Sequence, residues 1–186
     1  MAKVVVLGAG IAGHTAATHL SRKLGKEHEI LVVSPNSNYQ WIPSNIWVGI
    51  GKMAPKEVKF PLEPIYKKHH IGYKQAKVVS FHPEGSAAEP KPYVTVEYVF
   101  GENQGKQENV DYDYLINATG PKLAFELTEG LVPGTNKCYS VCTYDHAEHA
   151  SKAFEELKNK LKSSSTKQKI LIGTGHPKAT CPRCCF

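Results

Sequence analysis

The chain has 186 residues, 41% of them apolar and 22% charged, which suits a protein that buries a core and not a disordered chain. Twenty-three Lys and Arg against 17 Asp and Glu give a net charge of +6, but the basic residues are not clustered or interleaved with aromatics as in a nucleic-acid binder. No 18-residue run is apolar enough to read as a transmembrane helix.

Lys3–Leu7 reads as a short, fully buried strand. Met1-Ala2-Lys3 leads straight into it, with no charged segment ahead of a cleavable apolar stretch, so a cytoplasmic chain without a signal peptide is expected. Gly10–Leu24 reads as a helix with an apolar stripe at Ala12, Ala16, Leu20 and Leu24, stopped by Gly25. Glu29–Val33 is a second buried strand, closed by Ser34-Pro35-Asn36. Together they make a β–Gly-turn–α–β unit of about 30 residues, the size of a parallel crossover. A loop with a short helix near Ser44–Val48 follows, then a short helix over Leu62–His69. Strands are expected at Lys74–Phe81, Tyr93–Phe100 and Val110–Asn117, the three forming a β-meander. Gly134 marks a domain change, with a first domain over 1–134 and the start of a second over 135–186. Within the second stretch, Cys138–Cys142 reads as a short strand. Asp145 and Glu148 read as a capping box opening a helix, and Lys169–Ile172 as a strand before Gly173-Thr174-Gly175.

Gly8-Ala9-Gly10-Ile11-Ala12-Gly13 is G-x-G-x-x-G between a strand and a helix, the context in which this motif binds a dinucleotide. The first glycine permits the tight turn and the second lets backbone approach a pyrophosphate. The third allows helix and strand to pack closely, and the helix N-terminus stabilises the anion. Gly8, Ala9, Gly10, Ala12 and Gly13 are therefore candidate cofactor contacts. The ribose-binding carboxylate expected about 20 residues on is missing. Ser34 and Asn36 stand near its place, either as ribose contacts or as ordinary turn formers. All five cysteines (Cys138, Cys142, Cys181, Cys184 and Cys185) follow Gly134, and an odd number fits a reducing compartment. Cys181-x-x-Cys184 with His176 lacks a second pair at zinc-site spacing, so no metal is expected.

A second signal is Asp113-Tyr114-Leu115-Ile116-Asn117-Ala118-Thr119-Gly120, a buried strand ending in small residues. With the glycine turn about 105 residues before it, the chain resembles the flavoproteins that carry two dinucleotide-binding domains. Ser140–Ala147, Ile172–Cys181 and Tyr39–Gly49 are similar to segments of sulfide:quinone oxidoreductases. The resemblance covers residues 1–181 and somewhat under half of that family's length. It implies an α/β fold: an FAD-binding Rossmann-type domain with an inserted β-meander, then the incomplete start of a second dinucleotide-binding-like domain. It implies FAD as cofactor, with Pro43, Val78, Ala118, Thr119 and Gly120 as further contacts.

The resemblance also implies a mechanism. A cysteine matching Cys181 lies by the flavin and pairs with one from the C-terminal half, while one matching Cys142 assists in handling sulfur. Hydrosulfide attacks the sulfur bridge, and electrons pass through FAD to a quinone. Such thiolates need a lowered pKa, which a helix N-terminus and cations such as Lys178 and His176 supply. Sulfide and quinone are the implied substrates, and the membrane surface a partner through the C-terminal half. After Cys181 the chain departs from the family with Pro182-Arg183-Cys184-Cys185-Phe186. An N-terminal fragment without activity of its own is therefore expected. An NADH:quinone reductase or another member of the flavin disulfide-reductase superfamily, and a non-catalytic ADP- or FAD-binding module, are the alternative readings. Cys142 and Cys181 favour the sulfide enzyme over the NADH type, which needs no such thiols.

Overall fold

The computed structural model describes residues 1–164 and 166–173. In chain order its elements are β1 (Lys3–Leu7), α1 (Ile11–Leu24), β2 (Glu29–Ser34), β3 (Asn38–Gln40), α2 (Asn45–Gly49), β4 (Lys59–Pro61), α3 (Leu62–Lys68), β5 (Gly72–His82), β6 (Tyr93–Tyr98), β7 (Gln107–Asp111), β8 (Tyr114–Asn117) and α4 (Tyr144–Lys162). They form two compact units. One is Met1–Tyr39 with Pro61–Pro121; the other is Gln40–Phe60 with the described residues from Lys122 onward.

The first unit is built on a six-stranded sheet in the order β7-β6-β5-β2-β1-β8. β8, β1 and β2 run parallel, and so does the first part of β5, where Gly72–Gln75 pair with Leu31–Ser34. From Ala76 on, the same strand pairs antiparallel with β6, and a register shift between Val78 and Ser80 bends it. The bent, antiparallel part closes over one face of the parallel sheet. Val94, Val96 and Val110 share a core there with Val5, Leu7, Leu31 and Val33. On the opposite face Val4, Val6, Ile30 and Val32 pack with Ala17 of α1 and with Leu62 and Tyr66 of α3. Both faces are thus covered, which explains why β1 and β2 read as continuous apolar runs with no polar alternation.

The helix after the glycine turn buries Gly13 and Ala17, with Leu20 and Leu24 packed beside them; Ala12 is exposed and Ala16 half-buried. The expected stripe is therefore displaced by one position at its start, because Gly13 must press on Gly8. The expected strand Val110–Asn117 is two strands. β7 pairs antiparallel with β6, and Tyr112-Asp113 then carries the chain to the opposite edge, where β8 runs parallel to β1. Asp113 pins this crossover: its Oδ2 accepts the Lys3 N–H at 2.6 Å and its own N–H donates to Lys3 O at 2.9 Å. The meander is accordingly β5-β6-β7.

In the second unit α2 packs on α4 around Val48, Val58, Val141 and Ala147. Gly49 is required at this contact, since a Cβ there would lie 2.8 Å from Val141 Cγ1. The N-cap of α4 is Thr143, whose hydroxyl accepts the His146 N–H at 3.4 Å. The expected Asp145/Glu148 box does not form, because Asp145 already lies inside the first turn. Cys138–Cys142 is not a strand: its backbone groups are used locally, with Cys138 N–H donating to Thr135 O at 2.7 Å and Cys142 N–H to Ser140 Oγ at 3.0 Å. Lys169–Ile172 is not a strand either. It has no pairing partner among the described residues, and its apolar side chains stand exposed.

Candidate functional site

β1 ends between the ends of its two parallel neighbours, with Leu7 in register with Val33 of β2 and Asn117 of β8. One residue on, Gly8 N–H donates to Val33 O and Ala118 N–H donates to Leu7 O, both at 2.8 Å. The chain goes from β1 to β2 on one side, and β8 lies on the other. The glycine turn thus sits outside the carboxyl ends of the strands at a topological switch point, where open α/β sheets bind ligands.

The three glycines do different work. Gly8 has φ +92°, and a Cβ on it would lie 2.3 Å from Ala118 O. A Cβ on Gly13 would lie 2.0 Å from Gly8 O and 3.3 Å from Ala118 Cβ. These two residues therefore interlock strand, turn and helix. A Cβ on Gly10 would meet nothing within 4 Å. Gly10 is the N-cap of α1, in extended conformation, with no capping side chain and no acidic residue in the first turn. The N–H groups of that turn carry partial positive charge and lack side-chain acceptors, and there is open space beside them. A diphosphate group fits there, and FAD carries one. Ala9 is buried in the core and anchors the loop, while Ala12 lies exposed on the first turn.

Asn117, which sequence reasoning passed over, shapes the facing loop. Its Oδ1 accepts the Thr119 N–H at 3.3 Å and the Thr119 hydroxyl at 2.9 Å. This Asx-type turn leads to Gly120 at φ +73°. The signal was available in the sequence: an asparagine at a strand end, two residues before a threonine.

Ser34 is buried at the end of β2, and its Oγ accepts the Asn36 N–H at 3.3 Å, so it closes a turn. Asn36 is exposed, with its carbonyl accepting the Tyr73 hydroxyl at 2.7 Å. Val78 lies half-buried at the bend of β5. His14, one turn into α1, has Nδ1 3.2 Å from the Tyr66 hydroxyl. Burial, and then His69, hold its pKa below the usual value, so it adds no cation to this end of the helix near neutral pH.

The remaining candidates belong to the second unit. Pro43 is exposed in a 3-10 turn over Ile42–Ser44. Cys142 is half-buried just ahead of α4. Ser140, Asp145, His146 and His149, on either side of it in sequence, line a shallow pocket of about 250 Å³. Burial would raise the Asp145 carboxyl, but hydrogen bonds from Thr143 and the backbone hold it below the usual range. Cys181, with His176, Lys178, Cys184 and Cys185, lies outside the described residues.

Residues 2–176 match the family described as pyridine nucleotide-disulphide oxidoreductase. The chain is 31% identical over 158 residues to the sulfide-quinone reductase of Aquifex aeolicus, covering 84% of this chain and 32% of that protein. It is 27% identical over 127 residues to the type II NADH:quinone oxidoreductase of Haemophilus influenzae, covering 66% of this chain and 27% of that protein. The solved structure of the Aquifex aeolicus sulfide:quinone oxidoreductase matches it with a TM-score of 0.65 at 25% identity, over 86% of this chain and 33% of that one. The chain spans about a third of the length of these relatives. It belongs to the pyridine nucleotide-disulphide oxidoreductase family, a family of FAD-dependent oxidoreductases.

Proposed function

We propose that this chain is the FAD-holding part of a sulfide:quinone oxidoreductase, which oxidises hydrosulfide to polysulfide or sulfur and passes the electrons to a quinone. The observation that carries this reading is the glycine turn at the switch point, closed at Gly8 and Gly13 and open at Gly10. Bound FAD would supply the two-electron acceptor. Gly8, Ala9, Gly10, Ala12 and Gly13 hold its pyrophosphate, with Ser34 and Asn36 toward the ribose. Pro43, Val78, Ala118, Thr119 and Gly120 are its other contacts, and residues from 135 onward begin a second dinucleotide-binding-like domain. Cys142 and Cys181 are the sulfur-handling thiols, and they select this branch of the family. The membrane surface is the partner through the part of the protein that relatives have beyond this chain.

Two measurements test the reading. The 186-residue chain should bind FAD, followed by quenching of flavin fluorescence, and should not prefer NADH. A polypeptide that contains this chain and the further length of its relatives should reduce quinone with sulfide, and Cys142→Ser or Cys181→Ser should abolish that. Similarity to type II NADH:quinone oxidoreductase supports a second reading, in which NADH drives quinone reduction and neither cysteine substitution matters. A chain that binds the nucleotide while the longer polypeptide has neither activity would be a binding module.

A further inference from the structure

We propose that His14 is a positioning residue for the ribose end of the nucleotide site: through Tyr66 and α3 it holds the loop over residues 34–37 in place, and taking up a proton weakens that hold. The inference rests on the reading that Ser34 and Asn36 stand toward the ribose, and it adds what controls them.

The carbonyl groups of that loop are tied down by α3 and β5. The Leu62 N–H, the first of α3, donates to Ser37 O at 3.0 Å. From β5 the Tyr73 hydroxyl donates to Asn36 O at 2.7 Å, and Gln75 Nε2 donates to Pro35 O at 3.3 Å. The helix α3 is in turn held on α1 at two polar points. The Ser21 hydroxyl donates to His69 O at 2.7 Å, and His14 Nδ1 lies 3.2 Å from the Tyr66 hydroxyl. The Tyr66 ring also packs on Tyr73, with centroids 5.6 Å apart. One short helix therefore stands between His14 and the loop, in contact with both.

The His14 ring lies between Tyr39 and Tyr66, with centroids 5.0 and 5.5 Å away. Tyr66 is fully buried, and burial and then Tyr73 keep its hydroxyl protonated. That hydroxyl is a permanent donor, and among the described residues Nδ1 of His14 is its partner. A neutral His14 accepts the bond. A protonated imidazole carries hydrogen on both nitrogens and cannot accept, so the buried O–H loses its acceptor. The groups around His14 do not offset the added charge. Tyr39 on β3 keeps its proton through burial, and Tyr73 on β5 through burial and then Glu63. His69, just after α3, repels a charge on His14. Burial and that repulsion place the change below the ordinary histidine value of 6.5.

FAD is the probe, because its phosphate diesters stay ionised at mildly acidic pH and the ligand itself does not titrate. The 186-residue chain is titrated with FAD by calorimetry between pH 7.5 and pH 5, the range in which a histidine changes charge. Affinity should fall roughly tenfold toward the acid end, the worth of about one buried hydrogen bond, with the circular dichroism unchanged. His14→Leu should bind FAD weakly at every pH. His14→Gln, with an amide oxygen that still accepts from Tyr66, should restore the affinity and remove the pH dependence. His69→Gln should keep the dependence and move it to higher pH, because a repelling charge is gone. The proposal is overturned by a wild-type affinity that is level across the range, or that rises as pH falls. It is also overturned by a pH dependence that survives in His14→Gln, or by His14→Leu binding FAD as the wild type does. A wild-type chain that binds FAD at no pH, or a Gly10→Val chain that binds it unimpaired, overturns the reading of the glycine turn and this inference with it.

Discussion

Gly13 and Gly10 belong to one motif and predict opposite phenotypes. Any side chain at Gly13 must displace Gly8 O, which a Cβ would approach to 2.0 Å. Overpacking of this kind costs about 1–3 kcal/mol, so Gly13→Ala should lower the melting temperature with or without nucleotide. At Gly10 a Cβ has free space, and its φ of −72° suits any residue. Gly10→Val should therefore melt near the wild-type temperature but lose FAD, because the side chain occupies the space the pyrophosphate needs. Thermal melts with flavin-fluorescence titration separate the two effects. A Gly10→Val chain that still binds FAD at wild-type affinity would remove the pyrophosphate assignment. This part of the site was legible in the sequence because glycine spacing encodes backbone proximity directly. Asn117 was not, since its role comes from a side chain turning back on its own loop.

At the scale of elements, the meander is held by a three-residue cluster under its antiparallel half. Lys74 Nζ lies 2.9 Å from the Tyr98 hydroxyl and 2.9 Å from Glu108 Oε2, joining β5, β6 and β7. Burial would raise the Glu108 carboxyl, but the Tyr98 hydroxyl and the Lys74 ammonium hold it below its ordinary value. A lowered folded-state pKa means stability that is present above the unfolded value of 4.5 and lost as pH falls through the lowered one. Glu108→Gln should flatten the pH dependence of urea unfolding in that acidic window and leave the slope between pH 6 and 8 alone. The start of α4 offers a second test. Thr143→Ala removes the hydroxyl that accepts the His146 N–H, and should cost about 1 kcal/mol. Asp145→Ala removes no N-cap and should cost less. The capping residue was misread because Asp145 and Glu148 have the right spacing; the neighbouring Thr143 also caps, and only helix phase decides between them. The strands β1, β2, β5 and β6 were legible from composition and alternation. The division between β7 and β8 was not, because both halves alternate and only Asp113 pairing with Lys3 moves the chain across the sheet.

At the scale of the whole molecule, a strand exists only where a neighbour pairs with it. Lys169–Ile172 has the β-branched, apolar composition of β1, yet among the described residues it pairs with nothing. Ile170, Leu171 and Ile172 are 56%, 95% and 64% exposed. Unpaired backbone beside exposed, strand-forming side chains is a template for pairing with another chain. The protein as a 186-residue chain should therefore associate in a concentration-dependent way, despite a net charge of +6 that opposes it. Leu171→Asp places a charge in the middle of the run and should shift the sedimentation profile toward monomer. The melting temperature should stay nearly constant, because a side chain 95% exposed contributes little to any core. The same substitution should leave FAD binding intact, since the glycine turn, β8 and the loop from Ala118 to Gly120 all lie in the first unit. If the Leu171→Asp chain associates as strongly as the wild type, the segment is not the source of self-association. A large drop in melting temperature would instead mean that Leu171 is buried in solution.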